Sequence, residues 1–163
     1  MFVYYFSFIS HPAIKEISII IKKGVSLQVL SDFSVSKNLL IQGGSSVVIG
    51  GNMSLSERTK TTINPEKTQI QVRGCANFGG ELHLEDKPKI DRQPIINFNC
   101  SSGEFSSVTV GNCQISKDEV TYAKQSVYLT LSFDFDLDTC TSPNSESFVL
   151  ICCWILMVLL VLQ

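Results

Sequence analysis

The sequence predicts an all-β chain: a β-solenoid of the right-handed β-helix kind, followed by a hydrophobic membrane segment. Three observations predict it. Apolar residues alternate with polar ones at period two over most of residues 17–137, the pattern of half-buried strands. The early strands are three to six residues long and return about every ten residues, broken by Gly, Asn and Pro. The chain closes on fifteen apolar residues without interruption, Phe148 to Leu162, before Gln163.

Composition agrees. Before the tail the chain is rich in Ser, Thr, Val and Ile, whereas alanine occurs only as Ala13, Ala76 and Ala123. Thirteen basic and fifteen acidic residues leave a formal charge of −2, with no basic cluster, so nucleic acid is not an expected partner. At 163 residues, one domain and an anchor is the natural division.

Residues 1–16 read as an irregular or truncated N-terminal segment. Met1–Ser10 is apolar and aromatic but lacks the basic start and small-residue cleavage site of a signal peptide. Residues 17–140 read as the solenoid domain. Strands are expected at Ile17–Lys22, Val25–Leu30, Leu39–Ile41, Val47–Ile49, Met53–Leu55, Ile70–Val72 and Leu82–Leu84. Lines such as Leu40-Ile-Gln-Gly-Gly-Ser-Ser-Val-Val-Ile-Gly-Gly-Asn52 look like short rungs joined at small corners, and stacked rungs bury a continuous interior. A β-sandwich is the alternative, since it too gives short alternating strands. Asp86–Pro94 is a charged, proline-bounded loop, Ile95–Asn99 and Phe105–Val110 are further strands, and Val127–Leu137 is the longest strand expected. Residues 141–147 form a polar stalk, and 148–163 the anchor.

The run Val72-Arg-Gly-Cys-Ala-Asn-Phe-Gly-Gly-Glu-Leu-His-Leu84 resembles a phrase of repetitive cell-surface β-helix proteins, in which a strand ends in Gly-Cys and an Ala-x-Phe-Gly-Gly-x-Leu-x-Leu rung follows. Ile96-Asn-Phe-Asn-Cys-Ser-Ser-Gly-Glu-Phe-Ser-Ser-Val108 is similar to the segment that comes next in such proteins, and to the carboxy-terminal end of autotransporter passenger domains. The resemblance spans about residues 35–137. It implies a surface or secreted solenoid for adhesion or recognition and carries over no catalytic residue.

Four cysteines of the body, Cys75, Cys100, Cys113 and Cys140, are disulfide candidates; three complete pairings are open, and the short loop favours Cys100–Cys113. No C-x-x-C pair is present, so no metal is expected. Cys152 and Cys153 read as ordinary tail residues. Asn52-Met-Ser54 and Asn99-Cys-Ser101 match the N-glycosylation acceptor. Asp134-Phe-Asp-Leu-Asp138 opens like a calcium loop but lacks the glycine at position six, where Thr139 stands, and the acid at position twelve, where Ser145 stands. Glu81-Leu-His-Leu-Glu85 reads as a solvated strand face; His11 and His83, the two histidines of the chain, leave little material for a Ser-His-Asp arrangement, and Gly43-Gly44 and Gly50-Gly51 lack the lysine and helix that a phosphate loop needs.

The tail from Phe148 through Trp154 to Leu162 reaches about 22 Å as a helix, against a hydrocarbon core of about 30 Å. A short transmembrane helix, a signal for a glycosylphosphatidylinositol (GPI) anchor and a buried helix all remain open; no basic residue follows Leu162 to mark a stop. The expected function is therefore a membrane-anchored extracellular or luminal solenoid, fragment-like, for recognition or adhesion. It is not expected to be an enzyme, needs no cofactor, and has membrane lipid and a surface protein or glycan as partners. A carbohydrate-active β-helix enzyme and a soluble β-sandwich with a hydrophobic docking tail are the alternatives.

Overall fold

The structure, a computed structural model, describes the backbone of residues 3–6 and residues 18–89 and 92–131 in full. The chain winds as a β-solenoid. Its first turn is β2 (Ser18–Ile21), β3 (Ser26–Val29) and β4 (Phe33–Val35); its second is β5 (Asn38–Ile41), β6 (Ser46–Ile49) and β7 (Met53–Leu55). The third is β8 (Lys60–Ile63), β9 (Gln69–Val72) and β10 (Cys75–Phe78), and the fourth is β11 (Glu81–Leu84), β12 (Pro94–Asn97) and β13 (Cys100–Gly103). Corresponding strands stack in parallel into three sheets. Sheet A runs β3-β6-β9-β12, sheet B runs β2-β5-β8-β11 and sheet C runs β4-β7-β10-β13.

The register explains the periodicity of the sequence. Ser18 lies beside Asn38, Asn38 beside Lys60, and Lys60 beside Glu81. Every second residue of a strand points inward, so each turn adds a layer of apolar side chains to one core. Leu39, Ile41, Val47, Ile49, Met53 and Leu55 are the inward residues of the second turn, and all are buried. Each such side chain contributes about 1.5–3 kcal/mol by leaving water.

Corners follow an equally regular rule. The turn from sheet B to sheet A passes through a left-handed backbone at Gly24, Gly44, Lys67 and Arg92 in successive turns, with φ between 55° and 73°. Glycine takes this conformation without steric cost; a lysine and an arginine accept it in the third and fourth turns. The fourth corner is longer in sequence than the others, and its described residues are tied back to the third turn by Asn64 Nδ2 donating to Asp86 and by a 2.8 Å Lys89–Glu66 ion pair. The ammonium of Lys89 holds the Glu66 carboxyl below the ordinary carboxylate range, first by its hydrogen bond and then by its charge.

The stack ends by reversing direction. β14 (Ser107–Val110) continues sheet B in parallel, but β15 (Cys113–Ile115) folds back antiparallel onto it. After the 3-10 turn Lys117–Glu119, β16 (Val120–Tyr122) and β17 (Ser126–Leu129) close sheet A as an antiparallel pair. At the other end, β1 (Val3–Phe6) adds in parallel to β3.

Two expectations change. Residues 1–16 are not wholly irregular: Val3–Phe6 is a strand, built from β-branched and aromatic residues that suit an open sheet edge. The long strand expected over Val127–Leu137 ends at Leu129 within the described residues, and it is an antiparallel cap rather than a rung. Val127 and Leu129 still face inward, as the alternation requires. Residues 132–163, including the stalk and the tail, lie outside the described residues. Among the described residues no helix is long and apolar enough to cross a membrane.

One core position breaks the pattern. Thr61 is an inward residue of β8, fully buried, and its hydroxyl has no hydrogen-bond partner. Such a group costs about 1–3 kcal/mol. Thr61→Val keeps the shape and removes the hydroxyl, so it should raise stability by about 1 kcal/mol. Urea unfolding should show a higher midpoint at unchanged slope; a lower midpoint would mean that the hydroxyl is satisfied.

Candidate functional site

The corner between sheets A and C carries both glycosylation patterns and one disulfide. In it, successive turns are tied by side-chain amides and carboxylates. The backbone N–H of Asn52 donates to Asp32 Oδ1 at 2.7 Å, and the backbone N–H of Cys75 donates to Asn52 Oδ1 at 2.9 Å. Asn99 turns the other way: its Nδ2 donates back to the carbonyl of Arg73. Each bond joins one turn to the next, so these residues satisfy corner backbone groups that no strand partner reaches. Both Asn52 and Asn99 are solvent-exposed.

The cysteines sort by this same stacking. Cys75 and Cys100 open β10 and β13, are register partners, and form a disulfide with Cα atoms 4.4 Å apart. The Cys100–Cys113 pair expected from loop length is therefore wrong. Spacing along the chain misled, because one turn of solenoid brings residues 25 apart side by side. Cys113 starts β15 in another sheet, is buried at 3% exposure, and is itself disulfide-bonded. Cys140 lies outside the described residues, as do Cys152, Cys153 and the anchor residues Phe148, Trp154 and Leu162.

A groove of about 410 Å³ opens where the stack ends. Phe105 and Val108 lie along its base, and Glu104, Gln114, Lys117 and Tyr122 stand around it. It is lined by residues of β14 and β15 at the end of sheet B and of β16 in sheet A, where the three-strand turns give way to antiparallel strands. Phe78 anchors the base, with Phe98, Phe105 and Tyr122 at ring-centroid distances of 5.5, 5.1 and 5.8 Å. The Tyr122 hydroxyl oxygen accepts the Phe105 N–H at 2.7 Å. Partial burial raises the phenol above its ordinary value; the Phe105 N–H pulls the other way, and the nearby Glu104 charge adds to the rise. At neutral pH the group is thus a protonated phenol whose own hydrogen can be donated. Glu104 is the only carboxylate among the described lining residues.

Other expected sites are ordinary strand faces or fall outside. Glu81 and His83 point outward from β11; His83 is half-buried, and its Nδ1 lies 2.8 Å from Thr109 Oγ1 on the next rung. Asp134, Asp136 and Asp138 lie outside the described residues. Among the described residues no group of three or more His, Cys, Asp or Glu could hold a metal ion. The groove was not legible in the sequence: Glu104 and Tyr122 meet only because the stack reverses between them. The corner ladder did leave a signal, in the spacing of Asp32 and Asn52 by one turn.

Comparison with family models, with curated proteins and with solved structures finds no match to this chain.

The ladder makes a steric demand on its neighbour. A Cβ on Gly51 would run into Asp32 Oδ1 and stand 2.7 Å from the Asp32 backbone nitrogen. The backbone atom cannot swing aside. Gly51→Ala should therefore cost about 1–3 kcal/mol in chemical unfolding, the range for overpacking a tight site. A variant as stable as the parent would show that the turns at this corner are not in such close contact.

Proposed function

We propose that this chain is an anchored extracellular or luminal β-solenoid that serves recognition or adhesion, not catalysis. The observation that carries the reading is the groove at the end of the stack. It combines an aromatic and aliphatic base with a phenol, an amide, a carboxylate and an ammonium at its rim. Such a mix suits a polar ligand with apolar faces, and a saccharide of a cell surface is the ligand class that fits best. A glycosidase would use two carboxylates across one bond, and the groove offers Glu104 alone among the described residues.

Two further features support an extracellular or luminal setting, and the first of them an oxidising one. The Cys75–Cys100 disulfide is solvent-exposed, a state that a reducing cytosol disfavours. The outward residues of sheet C along one row are Ser34, Ser54, Asn77 and Ser102, a neutral polar surface without exposed large apolar side chains. The apolar run 148–162 supplies the anchor, either as a membrane span or as a GPI signal.

Fractionation and binding test the two halves of this reading together. The full chain should pellet with membranes after carbonate extraction, and the chain lacking 148–163 should be released. Release of the full chain by a phosphatidylinositol-specific phospholipase would identify a GPI anchor. The released body should be retained on immobilised cell-surface glycans, and Lys117→Glu should reduce that retention by about tenfold, the effect of losing a charge-assisted hydrogen bond of roughly 1.4 kcal/mol. A full chain that stays soluble contradicts the anchor; retention indifferent to Lys117 contradicts the groove.

A further inference from the structure

The two acceptor patterns for N-glycosylation sit at the same corner, two turns apart, yet their side chains are oriented oppositely. Asn52 uses its carbonyl oxygen, because its partner, the backbone N–H of Cys75, can only donate. Its Nδ2 is the far end of the carboxamide. Asn99 uses Nδ2 itself, because its partner, the carbonyl of Arg73, can only accept. These assignments follow from the chemistry of the partners and leave no choice of amide flip. The residue after Asn99 is Cys100, held in the disulfide to Cys75, whereas the residue after Asn52 is Met53, an ordinary inward core residue.

We infer that Asn52 carries an N-linked glycan and that Asn99 does not. The inference rests on the luminal placement proposed above. Transfer joins Nδ2 of Asn52 to the anomeric carbon of an oligosaccharide. The bond broken is that carbon's bond to the phosphate oxygen of a lipid-pyrophosphate donor; the lipid pyrophosphate leaves and one Nδ2 proton is lost. Asn52 can undergo this and keep its Oδ1 bond to Cys75, so the modified chain retains its corner. At Asn99 the same transfer puts the sugar on the nitrogen that donates to Arg73, leaving it a single hydrogen to keep that bond beside a bulky substituent. It also competes with the Cys75–Cys100 bond, since Cys75 has already been synthesised when Asn99 and Cys100 emerge.

The consequence is directional. A glycan at Asn52 covers the corner between sheets A and C in the second turn. The groove of Glu104, Lys117 and Tyr122 lies at the end of the stack, beyond the fourth turn. The modification thus shields a side of the solenoid and leaves the proposed binding end open.

Site mapping of the unaltered full chain made in a secretory eukaryotic cell tests this. Amidase deglycosylation in heavy-oxygen water converts a modified Asn to a mass-tagged Asp, and protease protection of sealed microsomes reports which side the body occupies. The expected result is a protected body with Asn52 tagged and Asn99 untagged. In gels, a single-glycan shift should be lost in Asn52→Gln and retained in Asn99→Gln; the mapping stands even if Asn52→Gln fails to fold. A protected body with Asn52 untagged, or with Asn99 tagged, overturns the inference and leaves the topology standing. An unprotected body overturns the topology and the inference with it.

Discussion

The in-register parallel stacking of the turns is the constraint from which the rest follows. In a parallel stack, a residue pointing inward in one turn sits beside a residue pointing inward in the next. A slip of one residue would turn Leu39, Ile41, Val47 and Ile49 out into water and bring Leu40, Val48 and their polar neighbours into the core. The backbone must therefore return to the same place once per turn. Corners cannot wander, and this is why they repeat a left-handed residue on one side and a ladder of Asp32, Asn52, Cys75 and Asn99 on the other. The glycines at 51 and 74 let these corners approach more closely than a Cβ allows.

A stack of open sheets has edges, and edges invite pairing with other chains. This chain handles its far end in three ways. Sheet B is closed by the reversed strand β15, and sheet A by the antiparallel pair β16–β17. Sheet C ends, among the described residues, at β13, all four residues of which are exposed; there the Cys75–Cys100 bond holds the last strand to its neighbour. The ring cluster around Phe78 fills the interior at the same level. The groove is a by-product of this ending. Where the repeat stops, residues of sheets A and B together line the open space. The groove thereby lies where the repeat of the described residues stops.

Much of the architecture could be read from the chain. Period-two alternation gave β2, β3, β5, β6 and β9 in sheets A and B, because each of these strands carries Val, Ile or Leu at its inward positions. Strands β4, β8 and β10 were harder. Phe33 and Val35 are too few to show a period, and in β8 one of the two inward positions is Thr61. The strand at Val127 was read too long, because alternation alone does not reveal where a partner strand ends. The disulfide was misassigned for the same kind of reason. Loop length favours near neighbours in sequence, while stacking favours residues one turn apart. The groove had no local signal at all, since Glu104, Lys117 and Tyr122 meet only through the reversal of the stack.

The central claim is that residues one turn apart lie side by side with parallel register. Cys75 and Cys100 already show that outward register partners on sheet C are close enough to bond. Ser34 and Ser54 are the same kind of pair in the first two turns, both on the outer face. Combining Ser34→Cys with Ser54→Cys and quantifying thiols under mild oxidation is the most direct test. The account predicts a disulfide between positions 34 and 54 in high yield, and none when Ser34→Cys is combined instead with Asn77→Cys, two turns away. Free thiols at 34 and 54 in a folded protein, or efficient bonding between 34 and 77, would contradict the stacking.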